Sequence, residues 1–165
     1  MIRLTTHADI PVVLAIFDIA RAFMRKNGNF AQWTGEYPGE ADVLEDIRRG
    51  EGYVIEEDGE VCAVFTLLSR PEPTYAEIFD GNWLTDGSYG TLHRVASNGK
   101  LRGVVSQAVD FALQRHSVLR CDTHAVNKPM QIALENAGFV HCGTVHMADG
   151  SPRLAFERNV PADSI

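Results

Sequence analysis

Residues 89–106 read YGTLHRVASNGKLRGVVS, and the fold turns on how they are parsed. Tyr89 to Ala96 is rich in apolar and β-favouring residues and predicts a strand. Ser97-Asn98-Gly99-Lys100 is a polar turn, and a helix is expected from about Arg102 to Arg115. A strand that feeds a helix through a glycine-containing turn leaves several backbone N–H groups pointing at one spot. The helix dipole adds positive potential there. Lys100 and Arg102 set two cations beside it. The unit therefore reads as a phosphate or pyrophosphate cradle. The same residues also fit a plain strand–turn–helix connection with solvated basic side chains.

Upstream, Ile2 to Thr5 predicts a short first strand. Thr6 and Asp9 have the spacing of a capping box, or Asp9 itself caps. Ile10, Val13, Leu14, Phe17, Ala20 and Met24 recur at helical spacing, and Asn27-Gly28-Asn29 ends that helix. An aromatic loop follows, NFAQWTGEYPGE, and then a second helix over Glu40 to Arg49. Gly52 to Glu56 and Val61 to Leu68 flank Asp58-Gly59, which predicts a β-hairpin whose second strand, apolar on both faces, is central. Thr74 to Leu84 fits either a further strand or a short helix. Downstream, Val118 to Thr123 is a strand, and Asn127 caps a helix with Pro129 in its first turn. Gly138 closes that helix, Phe139 to Val145 is a strand, and Asp149-Gly150 turns into a last strand, Arg153 to Glu157. The order is βααββ, one or more strands, then βαβαββ. The simplest arrangement is α/β (α+β), with one mixed, twisted sheet of six to seven strands flanked by about four helices.

The 165 residues, 18.2 kDa, fit a single domain over 1–160 with a short tail at 161–165. Apolar residues are 45% and charged residues 22%, which excludes a disordered or collagenous chain. No apolar run approaches the roughly 18 residues of a membrane span. The net charge of −7 argues against nucleic acid or an anionic membrane as the main partner. It leaves a small anionic ligand open, because a helix end holds a phosphate whatever the total charge. The segment MIRLTTHADIPVV lacks a signal-peptide core, and three cysteines, Cys62, Cys121 and Cys142, sit in apolar runs without pairing. Both features lead to the expectation of a reducing, cytoplasmic compartment.

Several patterns in chain order resemble the GNAT superfamily of acyl-CoA-dependent N-acyltransferases, over Ile2 to about Glu157. Lys100-Leu101-Arg102-Gly103-Val104-Val105 falls where that family shows Arg/Gln-x-x-Gly-x-Gly/Ala, although Lys100 and Val105 depart from it. Asn127 opens a helix as the family's asparagine does, and Asn136-Ala137-Gly138-Phe139 resembles its lysine-x-Gly-Phe ending. More narrowly, Gly28-Asn29…Gln32-Trp33…Tyr37-Pro38, His93-Arg94-Val95-Ala96, Asp122-Thr123-His124 and Asn127-x-x-Met130-Gln131 look like an uncharacterised bacterial subgroup.

The resemblance implies that two central strands splay and that acetyl-CoA is a co-substrate lying in the gap. Pantetheine would pair with the backbone at Val95, Ala96 and Ser97, and the Val95 N–H would stabilise the oxyanion. Lys100, Leu101, Arg102 and the N–H groups from Gly103 through Val104 and Val105 to Ser106 would hold the pyrophosphate. Asn127 and Met130 would meet the cofactor from the late helix. The acceptor is expected to be a primary amine of a small molecule or peptide. A homodimer is a further expectation, since packing through late strands is common in the family. Leu134 stands where the family often has a proton-donating tyrosine. A non-catalytic acyl-CoA-binding module on the same fold is therefore the alternative.

For the base, His93 and then His124 are the candidates, the latter oriented by Asp122. Glu77 and Asp80 are weaker carboxylate candidates. Cys121 and Cys142 read as small core groups. His141 and Cys142 fall on opposite faces of one strand, so no metal site is expected with His146. Phe23, Trp33 and Tyr37, with Trp83 from the later aromatic stretch, are the candidate acceptor-binding residues; a satellite hydrophobic cluster under the loop is the other reading of them.

Overall fold

The computed structural model describes residues 1–160; the tail expected at 161–165 lies outside the described residues. The elements are β1 (Ile2–Leu4), α1 (Ile10–Lys26), α2 (Glu40–Arg49), β2 (Gly52–Glu57), β3 (Glu60–Leu68), β4 (Gly90–Ser97), α3 (Val104–Leu113), β5 (Val118–Thr123), α4 (Lys128–Asn136), β6 (Val140–His146) and β7 (Pro152–Asn159). One-turn 3₁₀ helices occupy His7–Asp9 and Pro73–Tyr75. The fold is mixed α/β with a seven-stranded sheet in the order β1-β2-β3-β4-β5-β7-β6, the expected class. The chain divides into two compact units, Met1–Leu67 with Arg94–Val104, and Leu68–His93 with the chain from Val105 onward. β4 begins in the second unit and ends in the first.

In the first unit β1, β2 and β3 form an antiparallel meander, with Ile2 opposite Ile55 and Val54 opposite Val64. Asp58 and Gly59 carry φ of 52° and 80°, the two positive values that a tight hairpin turn needs. β3 is buried from Val61 to Leu68, as its two-faced apolar pattern requires. Val13, Ile16 and Phe17 of α1 pack with Val43, Val54, Val61, Val64 and Ala96 into one core. Asp9 fixes the start of α1. Its carboxylate accepts from the Thr6 N–H (2.7 Å) and hydroxyl (3.0 Å) and from both Arg3 terminal nitrogens (2.8 and 2.9 Å). The Arg3 guanidinium, helped by Thr6, holds that carboxyl at about 2.

Arg94, inside β4, has φ +50°, a left-handed conformation that costs a side-chain-bearing residue roughly 1–3 kcal/mol. Its Nη2 donates to Asp46 Oδ1 at 2.6 Å, and its Nη1 to the Tyr37 hydroxyl at 3.3 Å. Asp46 Oδ2 accepts from the Thr66 hydroxyl at 2.7 Å. Asp46 thus joins α2, β3 and β4 through one buried carboxylate. A left-handed residue bends a strand and ends regular pairing. The parallel β4–β5 ladder has two partner pairs, Gly90 with Leu119 and Thr91 with Arg120.

In the second unit β5 and β6 each pair antiparallel with β7. Residues 76–84 form neither a strand nor a helix. They lie along β6 through a bridge between Phe79 and Thr144 and a hydrogen bond from Asn82 N–H to Cys142 O (3.1 Å). The approach is close enough that a methyl group at Gly81 would overlap the Cys142 carbonyl. Arg120 fixes the following stretch. Its Nε donates to the fully buried Glu157 at 2.8 Å, its Nη2 to Thr85 O at 2.7 Å, and its guanidinium lies 4.1 Å from the Trp83 and Tyr89 ring centroids.

Two sequence expectations are corrected. The third helix begins at Val104, not Arg102, because Gly103 has φ +68° and belongs to the turn; it ends at Leu113. No strand intervenes between β3 and β4 among the described residues.

Asp46→Ala strands the Arg94 charge and the Thr66 hydroxyl together, and urea unfolding should show a loss of about 3 kcal/mol. Gly81→Ala forces backbone apart and should cost about 1–3 kcal/mol in the same measurement, with Gly87→Ala as the near-neutral control.

Candidate functional site

The turn after β4 is built by its own side chains. Ser97 Oγ accepts from the Gly99 N–H and Asn98 Oδ1 from the Lys100 N–H, both at 3.0 Å. The Asn98 N–H donates to Cys62 O at 3.0 Å, tying the turn to β3. Two left-handed glycines, Gly99 at φ +84° and Gly103 at φ +68°, let the chain reverse into α3. Apart from its two chain neighbours, no heavy atom of the described residues lies within 4 Å of where a Gly103 Cβ would sit, so this glycine is needed for its backbone angle and leaves open space beside it. The N–H groups of the first turn of α3, at Val104, Val105 and Ser106, have no intrahelical acceptor. Val104 is buried, Ala96 lies in the core, Leu101 and Val95 are half-buried, and Arg102 is exposed. Lys100 Nζ donates to Glu60 Oε1 at 2.7 Å in an exposed pair that raises its pKa. The turn thus has the parts of an anion cradle, with Lys100 engaged by a carboxylate.

His93 stands two residues before Val95 on β4. Its Nε2 lies 3.1 Å from Glu72 Oε2. Glu72 Oε1 accepts from the Thr74 N–H (3.3 Å) and hydroxyl (3.0 Å), which caps the Pro73–Tyr75 turn. The His93 hydrogen bond, with help from Thr74, holds the Glu72 carboxyl at about 2, so it is ionised at any working pH. Its contribution to stability is complete above its ordinary value of 4.5 and is lost as pH falls towards 2. Tyr75, fully buried, donates its hydroxyl to Asp122 Oδ2 at 2.6 Å, and burial pushes its pKa up. Asp122 is therefore bonded to Tyr75, while His124 Nδ1 accepts from the Val126 N–H at 3.1 Å. Burial, and then the Arg153 charge, lower the His124 pKa.

Asn127 Oδ1 accepts from the Met130 N–H at 3.3 Å and caps α4, and Met130 is half-buried. Leu134 is fully buried. Phe23 and Tyr37 are about half exposed. Trp33 is not: it packs edge-on to Phe17, ring centroids 5.5 Å apart, in the core of the first unit. Trp83 donates its indole N–H to Tyr75 O at 3.0 Å. Glu77 and Asp80 are exposed. The three cysteines are free and buried, and burial raises the Cys121 and Cys142 pKa values, which suits inert core thiols. No helix is long and apolar enough to cross a membrane, and no group of three or more potential metal ligands occurs, both among the described residues.

Sequence reading gave no role to Glu72, Arg94 or Asp46. Glu72 is 21 residues from His93 and Asp46 is 48 from Arg94, and no spacing rule connects positions so far apart. The one local signal is the Pro71-Glu72-Pro73 frame, which holds an acid in a short rigid segment.

No family model matches the chain, and the curated proteins give no match. Solved structures do. An aminoglycoside acetyltransferase, AAC(6')-Ib, in complex with coenzyme A and kanamycin is 20% identical, with a TM-score of 0.67 over 99% of this chain and 96% of that one. A ribosomal-protein-alanine N-acetyltransferase from Brucella melitensis is 21% identical, with a TM-score of 0.61 over 97% and 99%. These two likenesses speak for the fold. A GNAT-family acetyltransferase from Streptococcus agalactiae is 32% identical, with a TM-score of 0.89 over 97% of this chain and 95% of that one. At that identity, over nearly the whole of both chains, the likeness extends beyond architecture, and this protein belongs to the GNAT family of acetyltransferases.

Proposed function

We propose that the enzyme transfers acetyl from acetyl-CoA directly to a primary amine of a small molecule or peptide, with residues 1–160 acting as one acyltransferase domain. The observation that carries this reading is β4 itself. It pairs with β5 at two positions, bends at Arg94, and runs on through Val95, Ala96 and Ser97 into a doubly left-handed glycine turn that opens α3. Backbone N–H and C=O groups of an extended segment suit a pantetheine amide chain, and the α3 N-terminus suits a pyrophosphate. The open space at Gly103 and the charges of Lys100 and Arg102 fit that ligand; Asn127 and Met130 would meet it from α4. Acetyl-CoA supplies a thioester as the activated acyl group.

The protein's own part is orientation and proton handling. The Val95 N–H would polarise the thioester carbonyl. An amine adds only when neutral, and His93 is the base in this reading, with His124 a second candidate that its lowered pKa would keep neutral. Phe23 and Tyr37 offer exposed aromatic surface for the acceptor, Trp33 supports their loop from inside the core, and Trp83 is the candidate from the second unit. The coenzyme A and kanamycin bound to the aminoglycoside enzyme of the same fold support an amine acceptor, since kanamycin carries amines. Three free buried thiols suit a reducing, cytoplasmic setting.

Acetyl-CoA should raise the Tm, and Lys100→Glu with Arg102→Glu should abolish most of that shift; no shift at millimolar acetyl-CoA in the wild type overturns the reading. Thiol release should follow with at least one amine of a panel of kanamycin, spermidine and an alanine-terminated peptide. Glu60→Gln frees Lys100 for the diphosphate, and calorimetry should show acetyl-CoA binding up to about fivefold tighter, the worth of one exposed ion pair.

A further inference from the structure

The second unit holds a polar chain that neither the fold nor the cradle explains. Glu72 sits between Pro71 and Pro73, with 15% of its side chain exposed, and one carboxylate oxygen is fully used by Thr74. Its other oxygen faces His93 Nε2 at 3.1 Å, and its own backbone N–H donates to the Tyr89 hydroxyl at 3.1 Å. The Tyr75 ring, itself anchored on Asp122, lies beside the imidazole with centroids 6.2 Å apart. Proline on both sides, a capped turn and a tyrosine clamp fix this carboxylate far more firmly than a surface ion pair requires.

An ionised carboxylate only accepts hydrogen bonds. The nitrogen facing it must therefore carry the hydrogen, so neutral His93 has its proton on Nε2 and its lone pair on Nδ1. Among the described residues no hydrogen bond engages Nδ1. We propose that Glu72 is a positioning residue for acetyl transfer, fixing His93 in the Nε2–H tautomer so that Nδ1 is the nitrogen that takes the proton of the acceptor amine. This rests on His93 being the base in the reading above. The amine lone pair forms the C–N bond to the thioester carbon, and the nitrogen, now cationic, gives one proton to Nδ1. The C–S bond then breaks, its electron pair leaves on sulfur, and the imidazolium proton passes through water to the thiolate. Free thiol and amide result, and His93 is neutral again. Between those events the imidazolium is bonded to Glu72, which stabilises the charge as it forms.

The test reads the tautomer first, which needs no acceptor. Nitrogen-15 histidine spectra of the whole protein, with His93 assigned by comparison with His93→Ala, should show the Nε2–H form in the wild type. Glu72→Gln should shift the signal towards a mixture, and Glu72→Asp should keep part of the wild-type pattern. With acetyl-CoA and the best amine of the panel above, Glu72→Gln should lower kcat about tenfold to hundredfold while the KM for acetyl-CoA stays within about twofold. In a His93→Ala background the same change should have no further effect on kcat. Thermal melts identify any variant that fails to fold, and Glu72→Asp, which keeps the charge, stands in for one that does. An Nδ1–H wild-type tautomer, or one unchanged in Glu72→Gln, overturns the assignment of Glu72. A His93→Ala enzyme with wild-type kcat overturns the base role beneath it, whatever the tautomer.

Discussion

The left-handed backbone at Arg94 is the constraint on which the rest of the structure depends. An arginine has no reason of its own to adopt φ +50°, and the cost must be met by something fixed. Asp46 supplies it. It meets the guanidinium at 2.6 Å and is itself held by Thr66 from the buried stretch of β3. The bend is therefore anchored from α2 and β3 at once, and every element of the first unit that packs around Val43, Val54 and Val64 helps to keep the two carboxylate oxygens in place. Because both ends of the ion pair are mostly withdrawn from water, losing either leaves a charge with poor solvation, which makes the geometry all-or-none. What this secures is the direction of Val95, Ala96 and Ser97, the segment that a pantetheine arm would follow.

What could be read from the sequence follows a physical divide. Local geometry was legible wherever one residue type dictates it. Asp58-Gly59 gives the hairpin, Asn127 caps α4 through Met130, and Gly138, at φ +90°, ends that helix. Glu40–Arg49 keeps the expected bounds, and the structure gives it an acidic first turn and a left-handed Gly50 at its end. Residues 76–84 were ambiguous because their structure is borrowed: they hold their path through Cys142 and Thr144 of β6, not through any periodicity of their own. The start of α3 was misplaced because Gly103 was read as a helix residue, although glycine's tolerance of positive φ makes it a natural end to a turn. Trp33 has two readings in the sequence, an acceptor-binding ring or part of a hydrophobic cluster under the loop, and its packing in the core is the second. A Trp in a polar loop gives no sign that it folds back onto Phe17. The pairs Glu72–His93 and Asp46–Arg94 were invisible, since each joins segments that only the tertiary fold brings together.

The charge balance of the chain sharpens this. At a net charge of −7 the protein as a whole repels a nucleotide diphosphate, so any attraction must be local. In the proposed binding mode Gly103 and the opening turn of α3 would provide it through fixed dipoles, which do not depend on total charge or on a mobile side chain. Lys100 is the opposite case. Its bond to Glu60 is exposed and exchangeable, so the lysine can leave one anion for another at small cost. The cradle thus combines a permanent backbone component with a side-chain component that is already taken in the free protein.

The chemistry also explains why a buried leucine at position 134 is compatible with acetyl transfer. Thiols ionise near pH 8.5 and alkylamines near 10.4, so at neutral pH the leaving thiolate is far less demanding than the attacking amine. Holding an amine neutral at pH 7 costs about 5 kcal/mol relative to its bound proton, whereas a thiolate close to its own pKa needs no acid held beside it. An enzyme that places one strong proton device should place it on the amine side. With His93 as the base, that is the side of Glu72, braced by Thr74 and two prolines against His93, while α4 has Leu134 fully packed in the interior. In that proposal the polar investment at Glu72 and His93 and the energetic demand of the reaction fall on the same step.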